Sequence, residues 1–179
     1  MYSFKKFTRQ VAVASSLATI GMSAFAAQTS TASASASATI VSPIAITKTS
    51  DLVFGKLAVG AVGGNVAIST ADVVSISGAG TTVTQPPGST GNPASAVFGV
   101  TGEAGFTYAI TLPSDGAVTI SDGNAHTMAV NAFVSNPGTT GTLSGAGTDT
   151  LKVGATLVVG NNQVPGTYTG TFNVTVSYN

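Results

Sequence analysis

Val164-Pro-Gly-Thr-Tyr-Thr-Gly-Thr-Phe-Asn-Val-Thr-Val-Ser-Tyr-Asn179 decides the fold class. From Tyr168 onward, Tyr168, Gly170, Phe172, Val174, Val176 and Tyr178 share one face. Thr169, Thr171, Asn173, Thr175 and Ser177 share the other. A strand points successive side chains to opposite faces, so Tyr168–Tyr178 reads as a strand with one face buried and one wet. It closes the sequence as given.

Working outward, the same β-rich language recurs upstream. Short runs of Val, Ile and Thr between Gly, Asn and Pro predict strands near Thr39–Thr47, Leu52–Leu57, Asn65–Ser69, Val73–Ser77 and Ala96–Thr101. Further strands are predicted near Phe106–Leu112, Ala117–Ser121, Thr127–Val134 and Thr150–Val153. Ser121-Asp-Gly-Asn124 reads as a tight connection. Gln85–Pro93 and Asn136–Gly147 are rich in Gly, Pro and Thr and read as exposed loops. Beyond residue 26 no helix-period pattern is present. The expected fold is all-β, an antiparallel immunoglobulin-like sandwich.

Residues 1–26 read as a signal peptide. Lys5, Lys6 and Arg9 form a positive start, Val11–Met22 is mostly apolar, and Ala24-Phe-Ala26 supplies the small residues of a cleavage site. The apolar run is shorter than the roughly 20 residues a membrane helix needs. Three domain segments follow: the signal at 1–26, an extension at 27–42 and a sandwich at 43–179. Past the signal, Lys48, Lys56 and Lys152 face six acids, a net of −3. That balance argues against nucleic acid and against anionic lipid as partners, and no membrane insertion is expected. There is no cysteine, so an exported fold here rests on its core. A domain of roughly 150 residues buries roughly 68–70% of its unfolded surface, enough for one core.

The extension has its own pattern. Ala32, Ala34, Ala36, Ala38 and Ile40 alternate with Ser33, Ser35, Ser37, Thr39 and Val41. This suits an extended arm whose Ala/Ile face fills a groove, or a plain Ser/Ala tether. Pro43 then interrupts ladder donation before Ile44-Ala-Ile46.

Catalytic chemistry is hard to place. His126 is the single histidine, without a second ligand at metal spacing. The chain lacks a Cys nucleophile and a Gly-x-Ser-x-Gly elbow. Asp122-Gly-Asn124 starts like a calcium loop, but the later acidic ligands are missing. Lys56 or Lys152 with Glu103 holds the parts of a Lys–Asn isopeptide link, against which stands the plainer reading of solvated lysines. No enzyme activity, no cofactor and no metal are expected.

Two stretches carry a family resemblance: Thr39-Ile-Val-Ser-Pro-Ile-Ala-Ile-Thr-Lys-Thr-Ser-Asp-Leu-Val-Phe-Gly55 and Thr150–Tyr178. Together they resemble a bacterial family catalogued as domain of unknown function 4402. They are also similar to the spore-coat-U and archaic chaperone–usher pilins, where a Pro-Gly-x-Tyr-x-Gly stretch leads into the last strand. This chain departs from those relatives in having no cysteine pair. The resemblance implies an incomplete sandwich that a neighbour's arm completes by strand addition. The donor arm would be Gln28–Val41, with Ala32, Ala34, Ala36, Ala38 and Ile40 filling the groove. The groove would lie between Ile44–Thr47 and Tyr168–Tyr178, with Tyr168, Phe172, Val174, Val176 and Tyr178 on its face. The implied partners are other copies of the chain, with a periplasmic chaperone and an outer-membrane usher. The implied location is the periplasm in transit, then the cell surface as a fimbrium. The alternative is a self-contained secreted binding or adhesion module; the absence of Trp for sugar stacking weighs against it.

Overall fold

A computed structural model describes residues 28–87 and 92–179. The signal-peptide segment, including the expected cleavage point after Ala26, lies outside the described residues. The chain divides into two units, Met1–Ala38 and Thr39–Asn179. In the first, the described residues Gln28–Ala38 form no ladder and are exposed throughout.

The second unit is all-β among its described residues. It contains β1 (Ala45–Ser50), β2 (Gly64–Ile68), β3 (Val74–Ser77), β4 (Ala96–Thr101) and β5 (Thr107–Thr111). The chain continues with β6 (Val118–Ser121), β7 (Thr127–Asn136), β8 (Thr140–Thr142), β9 (Thr148–Val159) and β10 (Thr175–Tyr178). One sheet runs β1-β4-β9-β2-β3, with β7 also on β9 and β6 on β7; the other runs β10-β5-β8. Every pairing is antiparallel. The two sheets form an antiparallel β-sandwich.

β9 organises the larger sheet. Its first half, Thr148–Val153, pairs with β4, and Ala155–Val159 pairs with β2 along the same edge. β7 pairs with it along the other edge. Between Asn131 and Val134 the β7 register shifts, and Asp115 Oδ1 pins the bulge by accepting the Ala132 N–H at 2.6 Å. The extra residue turns Phe133 inward, as bulges re-aim side chains.

The interior has two parts. One gathers Val66, Val118, Met128, Val130, Leu157 and Val159. The other gathers Phe98, Val100, Tyr108, Ile110, Leu143, Leu151 and Val153. Leu52, Phe133 and Phe172 pack against both and join them. Tyr108 is fully buried and its hydroxyl donates to Asp149 Oδ2 at 2.8 Å. Burial pushes that phenol far above its ordinary range, with the Asp149 carboxylate adding to the effect. At Gly141 a side chain would strike the Tyr108 ring, so glycine is what seats it.

The sequence reading holds for β2 through β7 within a few residues and departs at five places, one of which, Leu52–Leu57, forms only an isolated bridge. β8 lies inside Asn136–Gly147, which reads as loop because Thr and Gly carry no apolar alternation. β9 continues six residues past Val153, through Gly154, which reads as a stop. Thr39–Pro43 is exposed and unpaired, and β1 begins only at Ala45. The last departure matters most. Tyr168–Tyr178 keeps its alternation of burial except at Gly170, yet its ladder spans only Thr175–Tyr178, on β5.

Candidate functional site

Two extended segments of this unit fail to become strands, and they face each other. Leu52–Leu57 reads as a strand, but Asp51–Val59 beyond β1 makes only single bridges, Val53 to Ala94 and Ala58 to Thr84. On the opposite bank, Tyr168–Val174 makes one bridge, Thr169 to Ser121. Successive residues of an extended chain direct their backbone N–H and C=O groups to opposite edges. Val53 and Thr169 turn theirs outward to Ala94 and Ser121. Leu52, Phe54, Tyr168 and Gly170 therefore aim theirs at the space between the banks.

That space is an open groove of about 1140 Å³, lined by Lys48–Val59 on one side and Gln163–Phe172 on the other. Its floor is core: Ala96, Phe98, Val118, Ile120, Met128, Leu157 and Val159. The banks differ in one respect. Gly55 has φ +78°, a left-handed kink that shifts the inward-facing set from Leu52 and Phe54 to Leu57 and Val59. The terminal bank is unbroken. It passes close over β6 at Gly170, where an added Cβ would sit 2.6 Å from the Thr119 carbonyl oxygen.

One end of the terminal bank is closed by its own side chains. Tyr168 donates its hydroxyl to the Val164 carbonyl at 2.7 Å and accepts from Gln163 Nε2 at 2.9 Å. Asp122 lies beside this turn, 3.5 Å from where a Cβ on Gly166 would be. His126 Nδ1 is 2.7 Å from Asp122 Oδ2. Hydrogen bonding by His126, then by Asn124, holds the Asp122 carboxyl down from 3.8 to about 2.

Asp72 is held down to about 2 as well, chiefly by the Ser95 hydroxyl and N–H, each 2.7 Å away, and then by Lys152. Both carboxylates have lower folded than unfolded values. Their stabilisation is therefore complete above about pH 4 and is lost as pH falls toward 2. An acid-induced fall in the urea midpoint, followed by circular dichroism, is expected in that window. The double variant Asp72→Asn, Asp122→Asn should flatten it.

Of the residues expected on the groove face, Tyr168 and Phe172 line it. Val174, Val176 and Tyr178 do not; they pack into the second part of the core, where β10 already has β5 as its partner. Ile44 and Ile46 are likewise core contacts, so the groove lies farther along both segments than Ile44–Thr47. Sequence reading missed Leu52, Phe54, Leu57 and Val59 as groove residues. The short apolar run Leu52–Leu57 signals a strand, but nothing local says that its partner is absent. Ala32, Ala34, Ala36 and Ala38 are exposed, and Ile40 is 97% exposed.

Lys152 Nζ contacts Asp72 Oδ2 at 3.1 Å and Glu103 accepts the Ser42 N–H, so Lys152 and Glu103 are engaged with other partners. Among the described residues no group of three or more His, Asp or Glu is placed to hold a metal ion. Nor is any helix there long and apolar enough to cross a membrane.

Fold and groove define a β-sandwich open along one seam, with core side chains as the floor and two poorly paired edges as walls. Residues 44–178 match the profile of the family described as domain of unknown function (DUF4402), and the chain belongs to that family. No curated protein and no solved structure matches it.

Proposed function

We propose that this protein is an exported structural subunit of a cell-surface fibre, in which the arm Gln28–Val41 of one copy fills the groove of the next. The observation that carries the reading is the pair of strand-patterned segments without ladders, Leu52–Val59 and Tyr168–Val174, on opposite banks of one apolar groove. Unpaired strand edges are an aggregation hazard unless something covers them. A strand laid between the banks gains backbone bonds from both. The arm suits this role because from Ala32 to Ile40 one of its faces is wholly Ala and Ile. Ile40 supports the same view, since an isoleucine left almost entirely in water gains by burial elsewhere, roughly 1.5–3 kcal/mol when complete.

Head-to-tail donation is a heterologous contact and builds an open filament. Before assembly the groove needs a temporary occupant, the part a periplasmic chaperone would play, with an outer-membrane usher for export. Nothing in this role asks for catalysis, a metal or a cofactor.

Surface protein sheared from cells and run in SDS without heating should give a ladder that collapses on boiling. Ala36→Asp should abolish that ladder, because a carboxylate would enter the apolar groove, while leaving the thermal midpoint of the purified monomer unchanged. A full ladder from Ala36→Asp, or a single monomer band for the parent in both lanes, defeats the reading. The second result would favour a self-contained binding module.

A further inference from the structure

Where the arm joins the sandwich, two separate segments meet on Ser42. Its carbonyl accepts the Tyr178 hydroxyl proton at 2.8 Å, and its N–H donates to Glu103 Oε2 at 2.8 Å. The Tyr178 oxygen also accepts the Glu103 N–H at 2.6 Å, closing the ring of bonds. The site is built to receive Tyr178: Gly102 leaves room where a Cβ would strike the hydroxyl, and the ring packs edge-on to Phe106 at 5.6 Å. Both backbone groups of Ser42 are thus engaged.

The next residue sharpens the point. For the arm to fill its own groove it must reverse over Ser42–Ile44 and run back along the Lys48–Val59 bank as a hairpin. Tight hairpins favour turns with positive φ, and turns of types I and II splay the strands. Pro43 is fixed near φ −65°, and a residue preceding proline is pushed to extended backbone. Self-filling therefore meets a turn that Pro43 opposes and must break both clasp bonds on Ser42.

We infer that the Tyr178–Glu103–Ser42 clasp is a positioning device that denies the arm to its own groove and commits it to a second copy of this chain. The inference rests on the groove being filled by the arm. Tyr178 acts through Ser42 and touches no occupant of the groove.

The absence of native cysteine makes the test direct. The full chain carrying Ser35→Cys and Thr171→Cys, both on the outward face, is expressed in labelled and unlabelled forms, mixed, oxidised and digested. Mass spectrometry then reads whether each arm–groove cross-link joins two copies or one. The expected result is cross-links between copies for the parent pair, and loss of most of them to links within one chain on adding Tyr178→Phe, which keeps the ring. Glu103→Ala should act like Tyr178→Phe, and Glu103→Gln, which keeps an acceptor oxygen, should restore the parent pattern.

Links within one chain already in the parent would overturn the clasp while leaving the groove reading intact. Links between copies in all variants would show that the clasp commits nothing. No arm–groove link in any variant would remove the groove reading itself, and the inference with it.

Discussion

Gly154→Val is expected to yield no folded, soluble protein. β9 is the strand on which the larger sheet is hung, and Gly154 is where its partner on one edge changes from β4 to β2. A Cβ there would strike the Ile68 carbonyl oxygen and lie 3.0 Å from the Ser69 carbonyl carbon. Those are backbone atoms, so no side chain can swing aside; β2 itself must move off the ladder. Overpacking against side chains costs typically about 1–3 kcal/mol. Displacing a paired strand adds lost hydrogen bonds and opens the core around Val66 and Ile68. Against a total stability of about 5–15 kcal/mol, that is enough to empty the native state.

Gly99→Val is the matched control. It lies on β4, where an added side chain meets nothing within 4 Å, and valine suits a strand better than glycine does. Thermal melts of the two variants should separate them completely. A Gly154→Val protein that melts near the parent would show that the seam between β4 and β2 is slack.

Why could Gly154 not be recognised from sequence? Glycine inside an apolar run reads as a stop, and Val153-Gly-Ala155 gives no hint that two strands abut there. The meaning of this glycine is set by Ile68 and Ser69, more than 80 residues away. By contrast, β4 and β5 were legible because period-2 alternation is a local property that burial of one face makes visible. β8 was hidden because Thr140-Gly-Thr142 owes its place to the pocket that Gly141 makes for Tyr108, a tertiary demand.

The groove was legible in a different way. Alternation over Tyr168–Tyr178 and the apolar run Leu52–Leu57 mark chain that packs against the core. Such patterns report burial and are silent about pairing, so they overstated the ladders. That overstatement is informative, since both excesses fall on the banks of one open seam. The expected position of the groove, by contrast, was too near the chain ends. Val174, Val176 and Tyr178 satisfy the same alternation as Phe172, and only the contact with β5 distinguishes a residue in a finished sheet from one beside a gap.

Phe172→Ala should lower stability by about 3 kcal/mol, near the bottom of the range for a buried phenylalanine because the ring is only partly covered. The ring is tilted on Phe133 at 5.1 Å and meets Phe98 edge-on at 6.4 Å. Those contacts tie the terminal bank to both parts of the core. Unfolding should stay a single transition, because β9 and β7 carry their ladder across both halves whatever happens at residue 172. The urea midpoint should fall with its slope unchanged, the sign of lost stability without a change in the surface exposed. Thr171→Ala, one residue away on the exposed face, should stay within about 0.5 kcal/mol of the parent. If the proposed fibre assembly holds, its yield should fall far more for Phe172→Ala than the surviving folded fraction explains, since the same ring holds the bank that the proposed donor strand would pair with. Equal yields per folded molecule for the two variants would separate that bank from assembly and leave Phe172 a core residue alone.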